Sequence, residues 1–149
     1  KEENWLPAHV VYGEGIFFKF NDKQINKWLK KPNVIQRISK MKKRYESVND
    51  SKYEISFEIT PRMVLIHTFS HILINRLIFD CGYSASALKE KLYISDDPKD
   101  LMSGVLIYTA SGDSEGTMGG LVKLGRPGFL ELTLSRALDE AGWCSNDPL

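Results

Sequence analysis

His67 and His71, in the stretch HTFSH, stand four residues apart. That spacing lets two imidazoles on one helix face share a single metal ion. The stretch lacks the intervening Glu that serves as base in the zinc-protease pattern, so a third ligand has to come from a distant part of the chain. Asp113, Glu115 and Cys144 are the candidates. In a metal-dependent hydrolase or nuclease, His67, His71, Asp113 and Glu115 would converge on one ion. Two other roles fit the same residues. They can be core histidines, hydrogen-bonded through both ring nitrogens and tethering their helix to a glycine-rich loop, or an acid/base pair.

That loop is SGDSEGTMGG, 111–120, with Gly112, Gly116, Gly119 and Gly120. A glycine-rich turn after an apolar strand invites a phosphate. No Gly-Lys-Ser/Thr follows, however, and Asp113 and Glu115 would repel one. Its glycines instead allow a tight turn against the central helix, where a carboxylate could accept a hydrogen bond from His67 or His71. GDSEG also matches the nucleophile motif of trypsin-like proteases. Those enzymes are double β-barrels, and this chain carries its histidines mid-helix. The two cysteines, Cys81 and Cys144, make no disulfide framework. Cys81 reads as a small core residue at a helix end.

A second constellation is electrostatic. From Lys23 to Arg44 there are nine Lys or Arg and no acid, although the whole chain carries a net charge of only +1. From Asp80 onward acids outnumber bases. A plain solvent face usually alternates sign, and this block does not. It is a candidate polyanion footprint, with Lys27, Lys30, Lys31, Lys40, Lys42, Lys43 and Arg44 as the phosphate contacts. The alternative is a solvated face whose long cationic stems cover the core.

These residues need elements to hold them. Thr60–Gly82 reads as a central helix, with Thr60 as N-cap, Pro61 in the first turn and Gly82 ending it. His67 and His71 share a face with Met63, Ile74 and Ile78, and are expected to be buried. Arg62, Arg76 and Asp80 form a polar strip opposite. His9–Phe20 reads as a hairpin or bulged strand around Gly13-Glu14-Gly15, and Asn21 or Asp22 caps a short helix. Pro32 opens a longer helix with Val34, Ile38, Met41, Tyr45 and Val48 on one side. After a polar linker at Ser47–Lys52, Tyr53–Ile59 alternates as a strand. Ser84 caps an expected helix over Ala85–Lys91, followed by a strand at Leu92–Ile94. Gly104–Ala110 reads as a buried strand, and Pro127–Ala141 as a helix ended by Gly142. The pattern is α+β: a buried central helix, about 61–81, packed with a small mixed sheet and surrounding helices in one domain over 1–149.

The 149 residues, 42% hydrophobic and 26% charged, suit an ordinary globular domain large enough to bury a core. No run of about 20 purely apolar residues and no secretory leader is visible, so cytoplasm is the expectation. The start at Lys1 and the turn-like end WCSNDPL suggest a piece of a longer protein.

HTFSHILINRL, CGYSASALKEKLY, GVLIYTASGDSEGTMGGLV and WCSNDPL, in that order, resemble the helicase-associated C-terminal domain of MrfA-type DNA-repair helicases and of the DrmB family in the DISARM phage-defence system. LPAHVVYGEGIFFKF adds to the likeness. The resemblance implies a non-catalytic helicase-partner module in a cytoplasmic DNA-handling complex, with a DrmA-like helicase subunit and DNA as partners and no membrane. Members of the wider family bind zinc through a C-terminal cysteine cluster. Only Cys144 falls where such a cluster would begin, so no cofactor is expected in this chain, and zinc is implied only for the full-length protein.

Overall fold

The computed structural model describes residues 8, 10, 12–48, 58–84, 86–109 and 119–142. Three strands and five helices follow in the order β1 (Gly15–Lys19), α1 (Asp22–Leu29), α2 (Pro32–Val48), α3 (Pro61–Cys81), β2 (Leu88–Ser95), β3 (Met102–Thr109), α4 (Gly120–Leu124) and α5 (Phe129–Ala141). The expected α+β class holds. The sheet runs β1-β3-β2 and is antiparallel throughout, not mixed. The connection at 96–101 is too short for the crossover that parallel neighbours need. On the other side of β3, Thr109 N–H donates to the Glu14 carbonyl (3.0 Å) and Phe20 N–H to the Ser103 carbonyl (2.8 Å), which fixes opposite directions for β1 and β3.

Several boundaries differ from expectation, each for a local reason. Before β1, Val10 and Tyr12 are exposed in irregular backbone, and among the described residues the ladder to β3 reaches Glu14. Residues expected to form a helix over Ala85–Lys91 instead begin strand β2. Leu88 is buried, Glu90 partly so, and Lys89 and Lys91 are exposed, a period of two that a helix cannot satisfy. α5 starts at Phe129, not Pro127, because Gly128 sits at φ 88°. There its N–H donates to Glu131 one turn in (2.6 Å). The expected strand Tyr53–Ile59 falls largely outside the described residues.

The chain divides into two compact units, one of Phe17–Leu73 with Glu90–Leu106, the other of Lys1–Ile16, Ile74–Lys89 and Ile107–Leu149. In the first, Ile25, Val34, Ile38, Ile66, Leu73 and Val105 are buried. The rings of Phe18 and Phe20 meet Phe69 edge-on at 5.5 and 5.0 Å. Gly104 lies where the Phe17 ring crosses β3: an added Cβ would fall 2.8 Å from that ring and 3.1 Å from the Phe18 carbonyl. In the second, Leu77, Ile107 and Leu121 are fully buried, with Ile74, Tyr83, Leu88 and Ala137 around them.

α3 starts and stops as its sequence dictates. Thr60 Oγ1 accepts from Met63 N–H (3.2 Å), and Gly82 follows at φ 72°. Its buried stripe is a different one from that expected. Arg62, Ile66, Ser70, Leu73 and Leu77 face inward, at most 2% exposed. His67 and His71 are exposed over 41% and 60% of their side chains. A wheel weighted by hydrophobicity discounts Arg62, yet its guanidinium is buried among four partners. It donates to Asp96 (2.6 Å), Asn26 (2.8 Å) and Ser103, and pairs with Asp22 at 3.5 Å. By length and mean hydropathy α3 could also cross a membrane. Its buried Arg62 and Ser70 are hydrogen-bonded inside the fold, as a core helix requires.

Candidate functional site

α3 projects His67 and His71 from adjacent turns, and β2 brings Glu90 to them. The two Nε2 atoms lie 2.9 Å apart, with the rings edge-on at 4.5 Å. Glu90 Oε1 is 3.1 Å from the Nε2 of His67 and 3.5 Å from that of His71. The other carboxylate oxygen, Oε2, meets the hydroxyl of fully buried Ser70, which also lies 2.8 Å from the His67 carbonyl. These residues all belong to the first unit. Glu90 is 19% exposed, so the cluster has a fixed carboxylate floor and an open imidazole rim.

Two uses follow from this chemistry. Three lone-pair donors on one point can hold a cation. Alternatively, one imidazole donates to the other or to Glu90, making a hydrogen-bonded acid/base pair. The proximity of the two histidines agrees with the sequence spacing, whereas their burial does not. Of the ligands proposed to join them, Asp113, Glu115 and Cys144 lie outside the described residues, as do Gly112 and Gly116. The carboxylate that does join them, Glu90, was hidden by reading its segment as a helix. Its signal is present in LKEKLYI, where an acid occupies an inward position of an alternating run.

Gly119 and Gly120 lie at the entrance of α4, Gly119 at φ 102°. The carboxylate served by this turn is Glu14, in the second unit. Glu14 Oε2 accepts from Gly119 N–H (3.1 Å) and Val122 N–H (3.0 Å), and Tyr83 donates to Oε1. Partial burial pushes the Glu14 carboxyl up, but the Tyr83 hydroxyl and the N–H groups of Val122, Leu121 and Gly119 together hold it below its ordinary value. The same burial, reinforced by Glu14, drives the Tyr83 hydroxyl upward. Cys81, at the end of α3, is a free thiol pushed up to about 11 by burial and by the nearby Glu14 and Asp80 charges. At neutral pH the free thiol is protonated. With two cysteines in the chain, a cysteine zinc cluster is not complete here.

The basic block is laid out over α1, the turn after it and α2. Lys27, Lys30, Lys31, Lys40, Lys43 and Arg44 are exposed and Lys42 half-exposed. None forms an ion pair among the described residues. Lys40 and Lys43 lie on the side of α2 opposite buried Val34 and Ile38, and Arg44 lies on its flank. On the apolar side, a groove of about 430 Å³ is lined by Trp28, Val34, Ile38, Met41 and Leu65, with Arg37 also on its wall. Trp28 is half-buried on that wall.

No family model matches the chain. It is 45% identical over 148 residues, 98% of its length, to DISARM protein DrmB of Bacillus paralicheniformis, and spans 26% of that protein. The segments noted above all fall within that similarity, which covers about a quarter of the relative.

Proposed function

We propose that this chain is a module of a DISARM-type phage-defence subunit that works in the cytoplasm without intrinsic catalysis. It docks on a helicase-type partner and offers nucleic acid a basic surface. The similarity to DrmB supports the setting. The observation that carries the surface is the acid-free run from Lys23 to Arg44, whose seven contact residues point outward or lie half-exposed without an ion-pair partner among the described residues.

Cations arranged this way neutralise phosphates and release counterions, so affinity falls with salt and sequence matters little. Each neutralised phosphate adds about 0.9 to the slope of log affinity against log salt. The test is fluorescence anisotropy of duplex and single-stranded DNA across a salt series. Steeply salt-dependent binding that does not distinguish sequences is expected. A flat salt response, or no binding at low salt, removes the DNA-facing role.

A further inference from the structure

We propose that His67, His71 and Glu90 form a binding site for one divalent transition-metal ion, with zinc the best match. The inference stands apart from the DNA-facing role, since none of the three residues belongs to the basic block.

The three donor atoms are separated by 2.9, 3.1 and 3.5 Å. In a tetrahedral zinc site with metal–ligand distances of about 2.0–2.1 Å, neighbouring ligand atoms lie about 3.3 Å apart. The observed separations bracket that value. The triangle is small enough that a point about 2 Å from every corner lies just off its plane. The three ligand atoms are brought together from two different elements, α3 and β2. Helical spacing alone would align the histidines but would not supply the carboxylate.

The donor set selects the ion. Two imidazole nitrogens and one carboxylate suit zinc and its neighbours, whereas magnesium and calcium favour oxygen alone. No placement of hydrogens satisfies the cluster: with one on the pair, the other Nε2 turns its lone pair toward Glu90 Oε1, and with one on each, two donors meet across 2.9 Å. A cation lets both present lone pairs at once. Ser70 completes the arrangement from behind: its buried hydroxyl holds Glu90 Oε2 and leaves Oε1 to the ion. With His71 60% exposed, the fourth position faces solvent and holds water. Two histidines and a carboxylate with one open position are a ligand set that holds zinc and leaves room for water.

The experiment is elemental analysis of the chain after removal of any histidine tag and dialysis against zinc and then zinc-free buffer. Cobalt(II) substitution follows, read by its visible d–d absorption. One equivalent of zinc and the intense bands of a tetrahedral cobalt site are expected. Glu90→Gln keeps the shape and removes the charge, and His71→Ala removes a mostly exposed side chain, so the fold persists in both by circular dichroism. Each variant is expected to bind zinc at least tenfold more weakly. Substoichiometric zinc in the wild type, or equal retention by both variants, overturns the site.

Discussion

Arg62 shows how much of this fold hangs on single side chains. A guanidinium only 2% exposed supplies donors to Asp96, Asn26 and Ser103 and faces Asp22. Lysine cannot reproduce that fork. Arg62→Ala is expected to cost about 3 kcal/mol in urea unfolding. This is the low end for breaking a buried pair, because Asp22 and Asp96 are partly exposed and can rehydrate. Glu14 works in the opposite sense, as a half-buried acceptor. Its folded carboxyl titrates below the ordinary 4.5, so its ionised form adds stability above that pH and loses the contribution as pH falls through the folded value. Glu14→Gln should therefore be less stable than wild type at pH 7, and the gap should close at acid pH. Paired thermal melts across that range check it, and a gap independent of pH would mean that shape, not charge, is what Glu14 contributes.

At the scale of elements, α3 divides into contributions that can be measured separately. Thr60→Ala removes the cap on Met63 N–H and should cost about 1 kcal/mol. Leu77→Ala empties a fully buried site and should cost about 2–5 kcal/mol. Phe79, 76% exposed, should tolerate Ser within about 0.5 kcal/mol. Chemical denaturation of the three variants ranks them, and any other order would mean that the inward stripe is drawn wrongly. The boundaries of α3 were legible from Thr60, Pro61 and Gly82, since caps are local chemistry. Its inward face was not. Hydrophobic periodicity scores Arg62 as solvent-facing, while Asp22, Asn26, Asp96 and Ser103, the partners that make its burial affordable, come from 34 to 41 residues away in sequence. The His67–His71 spacing was likewise readable and Glu90 was not, because a pairing between helix and strand is a tertiary fact. LKEKLYI alternates as a strand does, but a serine beforehand and two lysines flanking the acid also suit a short helix.

For the whole molecule, charge is the property that reaches furthest. The acid-free block places Lys40, Lys43 and Arg44 on one side of α2. Replacing all three with Ala should weaken DNA binding uniformly across sequences and lower the salt slope by about 3. The fold should be untouched, since none of the three is buried. A lost affinity with an unchanged slope would assign these residues to packing or to a protein partner instead. The salt series and the zinc analysis address separate residues, so each can fail without the other.

The raised thiol of Cys81 gives this molecule a built-in clock. With the thiol at about 11, its thiolate at neutral pH is about a hundredfold scarcer than that of an ordinary cysteine. An alkylating reagent will therefore label it slowly while the end of α3 stays folded. When that turn opens, the sulfur meets water, the carboxylates of Glu14 and Asp80 move away, and normal reactivity returns. The rate of modification at Cys81, followed by peptide mass to separate it from Cys144, then counts local openings too brief for any equilibrium melt to register.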